Sequence, residues 1–471
     1  MTTSSISNRA QMFKWLLTVA PLLTSIGCGT DFDSPDKVKT LRVLAIQKDH
    51  PYAAPSDDPP ANPNLVNMTM LSHDSVTDRK DPKIQRLWFS GCDDLPGDQY
   101  FTGMVRIYYL WQMFTSAGHP SIDDLAQRKF QGKEWWSPVD DIPAETPPGD
   151  QLAIWQPLMQ QVNPQLAAQL AAETDSQKQV DLARAYFDSY RVGAGERFAY
   201  SIPPRIIENH PPSQDPAIKP YGVSFVFFTA CAGHIEVAPD WQNADFGPGS
   251  KLENATLGFP FQCLDNTTGK ALGPDDYVAG YTQQFVYGDG SANLNPTIRG
   301  VDFNGGSVDS KFFCKDGDCV PEPPLNACEP AEVPAASDGS DAGDAPDAGD
   351  AGVEPQPHQT APEPPHVPAC KSHCPKYGIN PTLIENDPGN DQTDPLREGS
   401  AENKQMWIDY YSDRGTINHA AKSLRDAALG WFPDNGSTWT PPSDPGPVNI
   451  WAVVHDNRGG TSWVRLQICV E

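Results

Sequence analysis

From residue 448 to residue 470 the chain alternates as the two arms of an antiparallel hairpin must. Val448, Ile450, Ala452 and Val454 fall on one face of the first arm, and Ser462, Val464, Leu466, Ile468 and Val470 on one face of the second. A period of two belongs to a strand, whereas a helix repeats every 3.6 residues. Between the arms, Asp456-Asn-Arg-Gly-Gly460 supplies side chains that tolerate the positive φ angles of a tight turn. The same period recurs upstream. Residues 65–71 set Val66, Met68 and Met70 on one face against Asn67 and Thr69 on the other. Residues 221–231 alternate Val223, Phe225 and Phe227 with Ser224, Val226 and Phe228, so both faces are apolar and the strand should be central. Further strand signals lie at 41–48, 84–92 around Trp88, 197–203, 277–287, 295–303 and 406–411. With 48 prolines and 38% hydrophobic residues, the composition suits many short strands joined by proline-rich loops.

Two stretches break this pattern. From 99 to 195 the period lengthens. Residues 152–173, LAIWQPLMQQVNPQLAAQLAAE, are rich in Leu, Ala and Gln with Pro164 interrupting them, and 176–191 space Val180, Leu182, Ala185 and Tyr186 helically. This block reads as a helical insertion. From 329 to 369 the chain has no Phe, Tyr, Trp, Leu, Ile, Lys or Arg, and its centre reads SDGSDAGDAPDAGDAG. Such a tract cannot bury enough apolar surface to offset chain entropy, so we expect it to be disordered.

The first 28 residues fix the compartment. Arg9 and Lys14 precede a short apolar run that ends in Ser25-Ile26-Gly27-Cys28. The run is shorter than the ~20 apolar residues of a spanning helix and has the charge and exit of a secretory leader. Export makes disulfides the default state of cysteines. Cys231 and Cys263 are expected to pair in the first half. Cys314, Cys319, Cys328, Cys370, Cys374 and Cys469 form an even set in the second half, enough for three bridges. One bridge from the Cys314–Cys328 group to Cys370 or Cys374 would fence off the acidic tract. Connectivity stays open at this point. Cys92 is then the odd thiol.

Several resemblances follow. Ser25-Ile26-Gly27-Cys28 resembles the lipobox of bacterial lipoproteins, which implies cleavage before Cys28, lipidation of its thiol and an envelope location, with Gly29 leaning towards the outer membrane. The run of two strands and a tryptophan-bearing third resembles the opening of an immunoglobulin-like sandwich. The halves echo each other through Trp88 and Trp407 and through the aromatic-to-proline segments 198–204 and 439–442. We therefore expect a mainly β chain: signal peptide 1–27, tether 28–39, an immunoglobulin-like domain over 40–290 with the helical insertion at 99–195, and a second over 295–471 with a Cys-containing, disordered insertion at 329–369. Together with LRVLAIQKDHPYAAPSD, the Asp-Ala-Gly tract and WAVVHDNRGGTSW, these features resemble uncharacterised surface lipoproteins of myxobacteria, a resemblance that implies place and architecture only.

For function, a formal charge of −27 repels phosphate backbones and argues against nucleic acid. No G-x-S-x-G, H-E-x-x-H or glycine-rich phosphate loop is present. His455 with Asp456 and Arg458 looks like a catalytic corner but sits at a hairpin turn. Residues 289–295 alternate oxygen side chains as a calcium loop would, but place Leu294 where the loop needs glycine and Gly300 where it needs an acid, so no metal or cofactor is expected. Trp135 and Trp136, followed by Asp140 and Asp141, are the candidate glycan contact. The reading is a non-enzymatic, lipid-anchored envelope protein that binds a protein or glycan. The alternative is an exported hydrolase acting on an extracellular polymer.

Overall fold

The structure, a computed structural model, describes residues 36–55, 64–76, 84–93, 100–115, 121–127, 134–143, 145–213, 215–216, 218–242, 259–288, 293–308, 314–315, 318–319, 328, 364–383, 385, 387, 389–390 and 404–471. The leader, Cys28, most of the tether and the tract from 329 to 363 lie outside the described residues.

The first half supplies β1 (Arg42–Lys48), β2 (Tyr52–Ala53), β3 (Leu65–His73), β4 (Gln85–Asp93), β5 (Trp135–Trp136), β6 (Val192–Ala194), β7 (Arg197–Ser201), β8 (Tyr221–Cys231), β9 (His234–Val237), β10 (Phe261–Leu264) and β11 (Tyr277–Tyr287). They form a three-stranded sheet, β1-β3-β7, a six-stranded sheet, β2-β11-β8-β4-β6-β5, and a β9–β10 ribbon. The face of β3 carrying Val66, Met68 and Met70 closes against Trp88, Val226 and Phe228 of the large sheet. Trp88 is fully buried, stacks on Phe198 with centroids 5.6 Å apart, and donates its indole N–H to the Gly195 carbonyl at 2.9 Å.

The other face of the large sheet is also covered. Helices α1 (Tyr100–Thr115), α2 (Ile122–Ala126), α3 (Pro148–Val162), α4 (Pro164–Ala172) and α5 (Ser176–Asp188) come between β4 and β6. They bury Trp155, Met159 and Phe187 with Leu87, Phe89, Phe225 and Phe227 of the sheet. The first half thus has three layers, and β8 is apolar on both faces because each face has its own core. Pro164 opens α4 rather than kinking a longer helix. Asn163 caps it by accepting the Leu166 N–H at 3.0 Å, and proline at the first helical position loses no bond the helix needs.

The second half supplies β12 (Ile298–Phe303), β13 (Gly306–Val308), β14 (Cys314–Lys315), β15 (Asp318–Cys319), β16 (His366–Val367), β17 (Tyr377–Leu383), β18 (Met406–Ser412), β19 (Thr416–Ile417), β20 (Ala421–Asp426), β21 (Gly430–Trp431), β22 (Ser437–Thr440), β23 (Gly446–Asp456) and β24 (Thr461–Val470). Its sheets run β13-β12-β17-β22-β19 and β16-β24-β23-β18-β20-β21. Strand for strand, β12-β17-β22 repeats β1-β3-β7, and β16-β24-β23-β18-β20 repeats β2-β11-β8-β4-β6. In each half the opening strand pairs with one sheet, and a two-residue continuation crosses to pair parallel with the last strand of the other: Tyr52 opposite Phe285, and His366 opposite Cys469. Two facing antiparallel sheets in this order make an immunoglobulin-like sandwich, twice over. The helices are inserted between β4 and β6 of the large sheet in the first copy. The acidic tract fills the crossing of the opening strand in the second.

The second copy departs from the first in two ways. Trp407, the counterpart of Trp88, does not enter the second core. It is 38% exposed and stacks on His455, centroids 5.4 Å apart, and the second core is filled instead by Trp439 of β22. The β23–β24 hairpin is covered on both faces. Its outer face carries Trp451, Val453 and Trp463, which are buried against Val38, Leu44 and Ala45 of the first domain. The joint is completed by Gln47 Nε2 donating to the Thr461 carbonyl (3.1 Å), Asn295 Nδ2 donating to the Lys48 carbonyl (2.6 Å) and Thr461 N donating to Asn295 Oδ1 (3.0 Å).

Candidate functional site

The residue pairs expected to act are mostly structural. Trp136 is 2% exposed and donates its indole N–H to Asp141 Oδ2 at 2.9 Å; Trp135 lies under the Arg191 guanidinium, 5.3 Å from its ring centroid. Both belong to β5, which pairs with β6 at the edge of the large sheet. Strand pairing and the helical layer bury Trp136, whereas Trp135 stays partly exposed, while Asp140 accepts the Ser137 N–H at 3.1 Å as a capping group.

His455 and Asp456 are neighbours on a strand and so point to opposite faces. Asp456 turns inward, fully buried. It pairs with the equally buried Lys404 at 2.7 Å and accepts the N–H groups of Arg458 (2.8 Å) and Gly460 (2.7 Å) and of Asn293 Nδ2 (3.2 Å). Lys404 also donates to the carbonyls of Leu294 and Gly389. Asn293 and Asn295 of the calcium-like stretch thus serve the domain joint. His455 turns outward: Nε2 lies 3.5 Å from Asp409 Oδ2 and Nδ1 lies 3.3 Å from Thr461 Oγ1. Burial lowers its pKa to about 4 against the pull of Asp456, so the ring is neutral at physiological pH.

The cysteines pair differently from the expected fence. Cys231 joins Cys263, Cα atoms 5.6 Å apart; Cys328 joins Cys469; and Cys370 joins Cys374. Cys314 faces Cys319 across the β14–β15 ladder, with no bridge from this group to Cys370 or Cys374. Cys370 pairs with its near neighbour Cys374, and Cys328 reaches the last strand at Cys469. Cys92 is a buried thiol packed against α1. An ideal Cβ added at Gly103 would lie 1.6 Å from its sulfur, so α1 and β4 touch there without a side chain between them. Among the described residues no cluster of three or more His, Cys, Asp or Glu is set to hold a metal.

A cleft of about 420 Å³ opens where α1, α2 and β9 meet, within the ~300–1,000 Å³ of small-ligand sites. Its apolar floor is Tyr108, Trp111 and Ile235, and its polar rim is Asp123, His234 and Glu236. Each wall has a local cause. Ser121 caps α2 by accepting the Asp124 N–H (3.2 Å), and Asp124 returns the bond to the Ser121 N–H (3.0 Å). That cap commits Ser121 and leaves Asp123 in the first turn, half-exposed. Gln85 of β4 donates to Asp123 (3.4 Å) and accepts the Ile235 N–H, tying α2 to β9. The turn from β8 into β9 needs Gly233, whose Cβ would fall 2.1 Å from the Leu264 carbonyl oxygen. The Cys231–Cys263 bridge pins the β9–β10 ribbon behind it. Tyr108 packs edge-on to Trp241, centroids 5.0 Å apart, and accepts from Gln112 Nε2 at 2.7 Å. Burial pushes its pKa up to about 12, so it stays a neutral hydroxyl.

At the rim, His234 stands between two carboxylates, Nδ1 3.4 Å from Asp123 Oδ1 and Nε2 3.6 Å from Glu236 Oε1. The chemistry available is an aromatic floor, largely buried with Tyr108 4% and Trp111 6% exposed, beneath carboxylate acceptors. Sequence reasoning missed this cleft because its parts are separated by over a hundred residues. The one local sign was the polar pair Gln112 and Glu236 interrupting apolar runs.

No family model matches the chain, and no curated protein matches it. Among solved structures, the chain is similar to Escherichia coli alpha-2-macroglobulin activated by porcine elastase, at 8% identity and a TM-score of 0.15, covering 93% of this chain and 22% of that one. A likeness at that level carries no argument about function.

Proposed function

We propose that this is a non-enzymatic, lipid-anchored cell-envelope protein, tethered through Cys28, whose first domain binds a glycan in the insertion cleft. The observation that carries the reading is the cleft itself: Tyr108 and Trp111 beneath the Asp123–His234–Glu236 rim. Sugars present an apolar C–H face that packs on aromatic rings and hydroxyls that donate to carboxylates. A chain with a net charge of −27 gains little from the anionic lipid surface, so a covalent lipid is the better tether. An immobilised panel of envelope oligosaccharides tests the binding: wild type retains a subset, and Glu236→Gln loses that subset. Uniform retention by both proteins would remove the cleft from the account. Fatty-acid labelling of wild type against Cys28→Ala tests the tether, and a mutant that still labels defeats it.

One observation favours a hydrolase as the second reading. Asp123 and Glu236 both lie within 3.6 Å of one imidazole, so two carboxylates converge on one cleft, as glycosidic cleavage requires. Release of reducing ends from a retained oligosaccharide over time, abolished in Glu236→Gln while retention persists, would establish it.

A further inference from the structure

Of the bridges Cys231–Cys263, Cys328–Cys469 and Cys370–Cys374, the last is unlike the others. The first two span 32 and 141 residues, but Cys370 and Cys374 are only 4 apart. Cys231, Cys263 and Cys469 are each no more than 2% exposed, whereas Cys374 stands at the surface in the exposed run Lys371 to Lys376. We propose that the Cys370–Cys374 ring is a thiol–disulfide exchange site for an acidic thiol.

The fold does not depend on this ring. A cross-link restrains the unfolded chain more the longer the loop it closes, so this bridge restrains it least of the three. Both flanks are already fixed by hydrogen bonds. Ala369 N donates to the Glu471 carbonyl (2.7 Å) and Cys370 N to the Pro442 carbonyl (2.8 Å), and Tyr377 opens β17 in register with Trp439 of β22. Access governs which bridge a thiolate attacks, and an exposed sulfur is reached first. Charge governs which thiolate arrives. From 364 to 384 the chain has two lysines, two histidines and no Asp or Glu, in a protein with 61 acidic residues. His366 faces Glu471 at 2.6 Å, and Lys371 and Lys376 flank Cys374 in the chain. A net charge of −27 repels an acidic thiol over most of the surface, and these two ammonium groups draw it to the ring. Within the ring His373 has a left-handed backbone, φ 50°, which a non-glycine residue adopts at a cost that ring opening can relieve.

In the first step the incoming thiolate attacks Cys374 Sγ. The S–S bond breaks, its electron pair leaves on Cys370 Sγ, and that thiolate takes a proton from water. The product is a mixed disulfide on Cys374. A second thiolate attacks the incoming sulfur, releases the oxidised thiol pair and leaves Cys374 reduced. Two thiols are oxidised as one disulfide is reduced, so the electrons balance.

The test incubates the oxidised full chain with glutathione at about pH 8, where thiols are partly ionised, and reads each bridge by maleimide labelling and peptide mass. The ring should open at least about tenfold faster than Cys231–Cys263 or Cys328–Cys469. Glutathione stands for a free small thiol and an acidic cysteine peptide for a cysteine on another chain, and the faster of the two names the source. Lys371→Glu/Lys376→Glu, a surface change, should slow glutathione severalfold and leave uncharged mercaptoethanol nearly unaffected. Ring opening no faster than that of the buried bridges would overturn the proposal, as would glutathione rates unchanged in the lysine variant. Cys370→Ser/Cys374→Ser should melt close to wild type. A drop as large as that of Cys328→Ser would make the ring a structural bridge and defeat the exchange role.

Discussion

At the scale of single residues, Asp456 does the most. It is fully buried, neutralised by Lys404 at 2.7 Å and wrapped by N–H groups from its own turn and from Asn293. Removing one member of such a pair leaves the other charge buried and uncompensated, which costs roughly 3–5 kcal/mol. Asp456→Ala should lower the unfolding free energy by about that amount in urea melts. A loss under about 1 kcal/mol would mean that the joint does not depend on it. His455 sets a pH dependence. Its ordinary pKa of 6.5 falls to about 4 in the folded chain, with Asp409, Asp456 and Thr461 as its polar neighbours. Between those values the unfolded chain binds a proton that the folded chain refuses. Stability from this group is therefore complete above pH 6.5 and drains away as pH falls towards 4, by up to about 3 kcal/mol. His455→Gln should flatten the fall of the urea midpoint across that window, and an unchanged slope would assign the acid sensitivity to other groups.

Elements explain which parts of the fold could be read in advance. The alternation of β3, the doubly apolar β8 and the β23–β24 hairpin was legible because each needs only one strand's own side chains. Pro164 likewise announced the break between α3 and α4, whose cap at Asn163 the structure supplies. What was not legible depended on contacts far apart in sequence. The second apolar face of the hairpin shows up as Trp451, Val453 and Trp463, but nothing nearby says that β1 covers it. Trp135 and Trp136 look exposed among polar neighbours until β6 pairs with them. The seat of α1 against β4 is of the same kind, since the need for glycine at position 103 comes from Cys92 across the interface. Gly103→Ala puts a methyl group where the Cys92 sulfur lies and should cost about 1–3 kcal/mol through overpacking. Combining it with Cys92→Ala should recover most of that loss in thermal melts. Additive losses would show that the two do not share a contact.

At the scale of the whole molecule, one strand order is used twice and each copy opens at a different connection. The first copy admits helices that build a cleft, and the second admits the acidic tract. Cys328 joins Cys469, and His366 stands opposite Cys469 in the ladder, so residues on both sides of that tract return to the same point of the last strand. The Cys328–Cys469 bridge should contribute about 2–4 kcal/mol, measured as the drop in stability of Cys328→Ser under oxidising conditions. The buried joint makes the two sandwiches a single unit, with the cleft carried by the first. The central claim is that this cleft holds a glycan, and the most direct measurement is isothermal titration of the mature protein with an oligosaccharide retained from the envelope panel. The Asp123→Ala/Glu236→Ala double variant, altered only at half-exposed rim positions, should lose at least tenfold in affinity with its melting temperature unchanged. Full affinity in that variant would contradict the account.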